Sequence, residues 1–147
     1  MIVFEDLFAE ARANIVQYGE SSIQLIDIIK LAGSSRMVVR FKEVNSNWRQ
    51  GVRLSSDGEF LVSGENCGHA VVLWTDTAPP EIPIDLKNAS ECVVKNVWDR
   101  GNGVVDSGHN GAAMIVEVVG SKRTYSCNDG HPNDDFNDII FELQIDG

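Results

Sequence analysis

The last run of the chain alternates cleanly: Ile139, Phe141, Leu143 and Ile145 face one way, Glu142, Gln144 and Asp146 the other. Successive side chains leave a strand on opposite sides, so a period of two marks a strand with one buried face. The same period starts at residue 36, where Met37, Val39 and Phe41 alternate with Arg36, Val38, Arg40 and Lys42. Further strand-like runs, HAVVLWT, ECVVKNVW and AAMIVEVV, are separated by APPEIP and by the glycine-rich DRGNGVVDSGHNG. The pair Asp57-Gly58, set between two alternating runs, predicts a tight hairpin turn. Several short strands, each with one face to bury, leave few architectures open. The expected one is mainly β, an antiparallel β-sandwich of jelly-roll type.

The first thirty residues read differently. Phe4, Leu7, Phe8, Ala11 and Ile15 recur at helical spacing, which predicts an amphipathic helix over 3–17 closed by Tyr18-Gly19. The next stretch, SSIQLIDIIKLAG, offers serines for an N-cap and Gly33 for a C-terminal cap, so a second short helix is expected there; its many isoleucines make a strand the alternative. One or two helices within about residues 3–32 thus lead into a sandwich over about 35–147. A length of 147 residues suits one domain, 1–147, and no apolar run approaches the ~18 residues that a membrane-crossing helix needs.

Twenty-two acidic against twelve basic side chains give a net charge of −10, which repels a phosphate backbone or an anionic bilayer. Nucleic acid and membrane insertion are therefore poor matches, whereas a basic protein would be attracted. The start of the chain lacks the basic, apolar and small-residue segments of a signal peptide, which predicts a cytoplasmic protein or one released without such a signal. Cys67, Cys92 and Cys127 are too few for a disulfide framework and are expected as reduced, mostly buried thiols.

The strongest chemical signal precedes the last strand. Within NDGHPNDDFND, residues 128–138, the chain places Asp129, Asp134, Asp135 and Asp138 with Asn128, Asn133 and Asn137. Four carboxylates so close cannot all stay ionised without a counter-charge, and Lys122 and Arg123 nearby can serve one or two of them at most. Oxygen-only ligands on a loop containing Gly130 and Pro132 suit a hard cation: Ca2+ takes about 6–8 oxygens at ~2.3–2.6 Å in tolerant geometry, and Mg2+ demands a stricter octahedron. The expected ligands are Asp129, Asn133, Asp134, Asp135, Asn137 and Asp138. An EF-hand is excluded, because Asp134 stands where its glycine belongs, Ile140 where its bidentate glutamate belongs, and a strand follows. The competing reading is a solvated acidic turn whose Asp and Asn side chains accept from neighbouring amides.

NDDFNDIIFEL, preceded by Asn128-Asp129-Gly130, resembles the closing motif of a group of bacterial β-sandwich domains of uncharacterised function, D-x-D-[FY]-N-D-[LIV]-[IV]-F. The resemblance covers about twenty residues. It implies Ca2+ held by the positions of Asp129, Asp135, Asn137 and Asp138, with Phe136 anchoring the loop in the core and Asn133 replacing one Asp; the family's secreted, surface or carbohydrate-active settings do not carry over to a chain without a visible signal.

A Ca2+ with open coordination positions can accept sugar hydroxyls while an aromatic ring covers the apolar face of the sugar. The expected function is accordingly a Ca2+-dependent, lectin-like, non-enzymatic protein. Trp48, in the polar NSNWRQG, is the candidate platform, and Asp99 and Asp106 in the glycine-rich segment are candidate additions to the site. The alternative is an acidic interaction module, an immunity or assembly partner for a basic protein, with at most a structural metal. Paired carboxylates could also hydrolyse glycosides at the right separation. Cys67, His69, Cys127 and His131 form a conceivable zinc set whose spacing matches no common finger or ribbon. The sequence leaves homo-oligomerisation open.

Overall fold

A computed structural model describes residues 4–12, 14–108, 111–131 and 135–146. The helix α1 is short, Phe4–Ala11, and buries Phe4 and Phe8, one turn apart on a single stripe. Arg12 ends it in a left-handed conformation, φ 53°. The expected continuation to residue 17 is instead a strand, β1 (Ile15–Tyr18), paired with β2 (Ser21–Gln24) across a two-residue turn at Gly19. The expected second helix is also absent: its residues form β2 and the start of β3 (Asp27–Val44). The isoleucines decide this. Asp27 and Ile29 are buried while Ile28 and Lys30 are exposed, a period of two that β-branched side chains favour.

Six further strands follow: β4 (Arg49–Val62), β5 (Glu65–Trp74), β6 (Glu81–Asp99), β7 (Ala113–Val119), β8 (Lys122–Asn128) and β9 (Ile139–Asp146). Hydrogen bonding joins all nine into one antiparallel sheet in the order β1-β2-β7-β8-β9-β3-β6-β4-β5. The architecture is thus mainly β, a single open sheet with one short helix.

The hairpin expected at Asp57-Gly58 lies elsewhere. Strand β4 runs through that pair with a shift of register between Ser56 and Glu59, so the pair forms a bulge. Its carboxylate ties the bulge to β6: Asp57 accepts from Ser90 N (3.0 Å), Ser90 Oγ (2.5 Å) and Glu91 N (3.2 Å). These bonds hold the Asp57 carboxyl well below its ordinary range. The chain reverses instead at Ser63-Gly64, with φ of 53° and 80°, the positive pair that a type I′ turn requires.

The main core gathers side chains from β3 to β9, among them Met37, Leu54, Phe60, Leu86, Tyr125 and Phe141. A smaller core joins α1 to the sheet through Phe4, Phe8, Ile23, Ala113 and Phe136. Cys92 and Cys127 are buried and burial pushes their thiols up, Cys92 to about 12, so both are chemically quiet; Cys67 is exposed on β5. No helix among the described residues is long and apolar enough to cross a membrane.

The register places three connections at one end of the sheet. Val44 pairs with Ile139, so the β3–β4 connection (45–48) abuts the β8–β9 connection (129–138). Arg49 pairs with Asp99, which brings the β6–β7 connection (100–112) to the same end.

Candidate functional site

Asn128 and Asp129 leave β8 fully buried, and Asp138 enters β9 nearly so at 5% exposure. Asn128 is held at both ends: Oδ1 accepts from Phe136 N at 2.7 Å, and its carbonyl accepts from Asn96 Nδ2 at 2.8 Å. Phe136 itself adopts φ 53°, a conformation unusual for a large side chain, and its ring packs 5.4 Å from that of Phe4. Backbone strain here is sustained by the small core beneath the loop.

Asp129 is the hub. Its Oδ2 accepts from Ser46 Oγ at 2.5 Å and Gln50 Nε2 at 3.0 Å, and its Oδ1 accepts from His131 N at 2.9 Å. Its own amide donates to Asp138 Oδ2 at 2.9 Å. Asp138 N in turn donates to Cys127 O, and Asn45 N donates to Asp138 O. Burial pushes the Asp138 carboxyl up to about 6; the amide of Asp129 works against this, while the Asp129 carboxylate beside it and Asp135 add to it. Burial and a neighbouring carboxylate thus act together on Asp138.

Those two carboxylates line a cavity of about 230 Å³ together with Asn45, Ser46, Asn47, Trp48 and His131. Trp48 is half-buried, with its ring edge-on to His131 at 6.2 Å. Lys122 and Arg123 have other carboxylates to serve: Lys122 lies 3.9 Å from Glu142, and Arg123 pairs with buried Asp27 at 3.0 Å.

Of the residues expected to hold the ion, Asp129 and Asp138 converge. Asn137 is half-buried and its carbonyl accepts from Asn45 Nδ2; Asp135 is exposed. Asn133 and Asp134 lie outside the described residues. Among the described residues no group of three His, Cys, Asp or Glu side chains gathers closely enough to hold a metal, so Cys67, His69, Cys127 and His131 do not come together, and the other oxygens around the two carboxylates are amide, hydroxyl and backbone ones. The donor set that is present is two carboxylates amid such oxygens.

Trp48 lines the cavity, whereas Asp99 and Asp106 do not. Asp99 accepts from Gly101 N and Gly103 N, a local turn. Asp106 exchanges both backbone hydrogen bonds with Trp98 and lies 3.3 Å from Arg100. That segment acts indirectly: a Cβ at Gly130 would stand 2.8 Å from Trp98 Cζ2, so the buried indole fixes how closely the acidic loop can pack. Ser46 and Gln50 went unnoticed in the sequence, where NSNWRQG reads as polar flanks of a tryptophan; their role depends on which strand ends the topology brings together.

No protein-family model, curated protein or solved structure matches this chain.

Proposed function

We propose that the chain is a Ca2+-binding, carbohydrate-binding, non-enzymatic protein. The observation that carries this reading is the contact pair Asp129 and Asp138, buried in the wall of a cavity that also presents Trp48 and the polar run Asn45-Ser46-Asn47. A divalent cation would offset the burial that raises Asp138 and the lesser repulsion from Asp129 and Asp135, and vicinal hydroxyls of a sugar would complete its shell beside the indole. The closing-motif resemblance points the same way. The sandwich architecture belongs to the same reading. Side chains from β4 and β5 share one core with those of β8 and β9, as they would if the sheet curls over on itself.

Calorimetric titration of chelator-treated protein with Ca2+, followed by a glycan array with and without chelator, tests the proposal. Ca2+ uptake and glycan binding abolished by chelator are expected. Absence of Ca2+ uptake sinks the reading, and salt-sensitive, chelator-indifferent binding to a basic protein replaces it with the acidic interaction module that the charge of −10 would steer.

A further inference from the structure

Gln50, the second residue of β4, is 1% exposed. Its Nε2 donates to Asp129 Oδ2 at 3.0 Å and to the Trp48 carbonyl at 3.2 Å. Its Oε1, buried with it, meets no hydrogen-bond partner among the described residues. A buried acceptor without a donor is costly and rare, and it calls for a partner of another kind. Ser46 Oγ, 2.5 Å from the same Asp129 oxygen, also accepts from Trp48 N at 3.2 Å. Residues 46 and 50 therefore bring a hydroxyl and an amide side chain to one carboxylate oxygen, and the same amide also meets the Trp48 carbonyl.

We infer that this segment is the second half of the cation site, with Gln50 Oε1 and Ser46 Oγ as ligands beside Asp129 and Asp138. The inference rests on the Ca2+ reading above and adds to it the residues that close the shell. The direction of an amide is set by its neighbours, and at present the Asp129 anion draws the NH2 end of Gln50 toward itself. A cation on that oxygen removes the reason for this orientation. Turned over, the amide sets Oε1 where Nε2 now stands, 3.0 Å from Asp129 Oδ2 and 3.2 Å from the Trp48 carbonyl, a group of oxygens that a single shell with bonds of about 2.3–2.6 Å can span. The Ser46 hydroxyl needs only to rotate its hydrogen away to offer a lone pair. Three carboxylates are then not required, since neutral oxygens fill the positions that the acidic loop leaves.

The test counts ligands. Europium(III) replaces Ca2+ at oxygen sites, and its luminescence lifetimes in H2O and D2O report how many waters it keeps. Relative to the parent, Gln50→Leu is expected to add a coordinated water and weaken Ca2+ binding about tenfold. Gln50→Glu, which keeps an oxygen at that place, is expected to retain the parent hydration and bind Ca2+ at least as tightly, and it carries the test should the leucine variant misfold. A Gln50→Leu protein with parental hydration, alongside an Asp138→Asn protein that loses the ion, overturns the role of Gln50 alone. A parent that takes up neither ion overturns the Ca2+ reading and this inference together.

Discussion

Asp138 is where burial and charge collide. Its carboxyl titrates near 6 in the folded chain against about 3.8 in an unfolded one, so between those values the folded state holds more protons. Stability of the ion-free protein through this group therefore falls as pH rises from about 4 to 6, and the cost stands in full above about 6. Asp138→Asn removes that cost. In chelator it is expected to exceed the parent in stability by roughly 1–2 kcal/mol at pH 7, with the advantage vanishing near pH 4, as urea melts at the two pH values will show. The same variant should lose Ca2+ binding by at least tenfold. A site that is costly when empty and favourable when filled is the behaviour expected of a ligand-holding carboxylate. Gly130 gives a second check at this scale: Gly130→Ala has to displace the Trp98 ring or lift the acidic loop, and a calcium titration should register weakened binding.

At the scale of elements, two glycines that look alike in sequence do different things. Gly64 has φ 80° and open space around its Cα, so Gly64→Ala should cost about 1–2 kcal/mol through the backbone alone. Gly58 lies in the bulge, where a Cβ would stand 2.3 Å from the Lys87 carbonyl and 2.9 Å from Ala89 Cβ. Gly58→Ala must push β4 off β6, and about 2–3 kcal/mol is the expected loss in a denaturant titration. Composition draws no distinction between these positions; the strand that passes opposite does. The alternating runs of β3 and β9 were legible because local periodicity dictates which face is buried. The helix over SSIQLIDIIKLAG was misread because cap-like residues flank it by coincidence, and pairing of β2 with β1 and β7 outweighs them. In the site, the acidic partners lay close in sequence and could be named from it. Ser46 and Gln50 belong to the β3–β4 connection and the start of β4, about eighty residues earlier, and only the register of Val44 against Ile139 reveals them.

For the whole molecule, ion binding and folding should be one equilibrium. An ion held by the native state alone adds RT ln(1 + [L]/Kd), about 2.7 kcal/mol at a hundredfold excess over Kd. For a chain of this length that is a rise of roughly 5–10 °C in melting temperature on replacing chelator with Ca2+, measurable by calorimetry. Equal midpoints in the two buffers would separate the acidic loop from the fold's stability. The net charge of −10 adds to this coupling, because each divalent ion also reduces the self-repulsion of the folded surface.

The position of β9 carries a last consequence. It lies between β8 and β3, laced along both sides, while β1 and β5 each have a neighbour on one side only. Fraying begins at margins, so amides of 15–18 and 65–74 should exchange with deuterium well before those of 139–145. The loop that would grip an ion is rooted in the part of the ladder that opens last, and a partly unravelled molecule would still keep hold of its cargo.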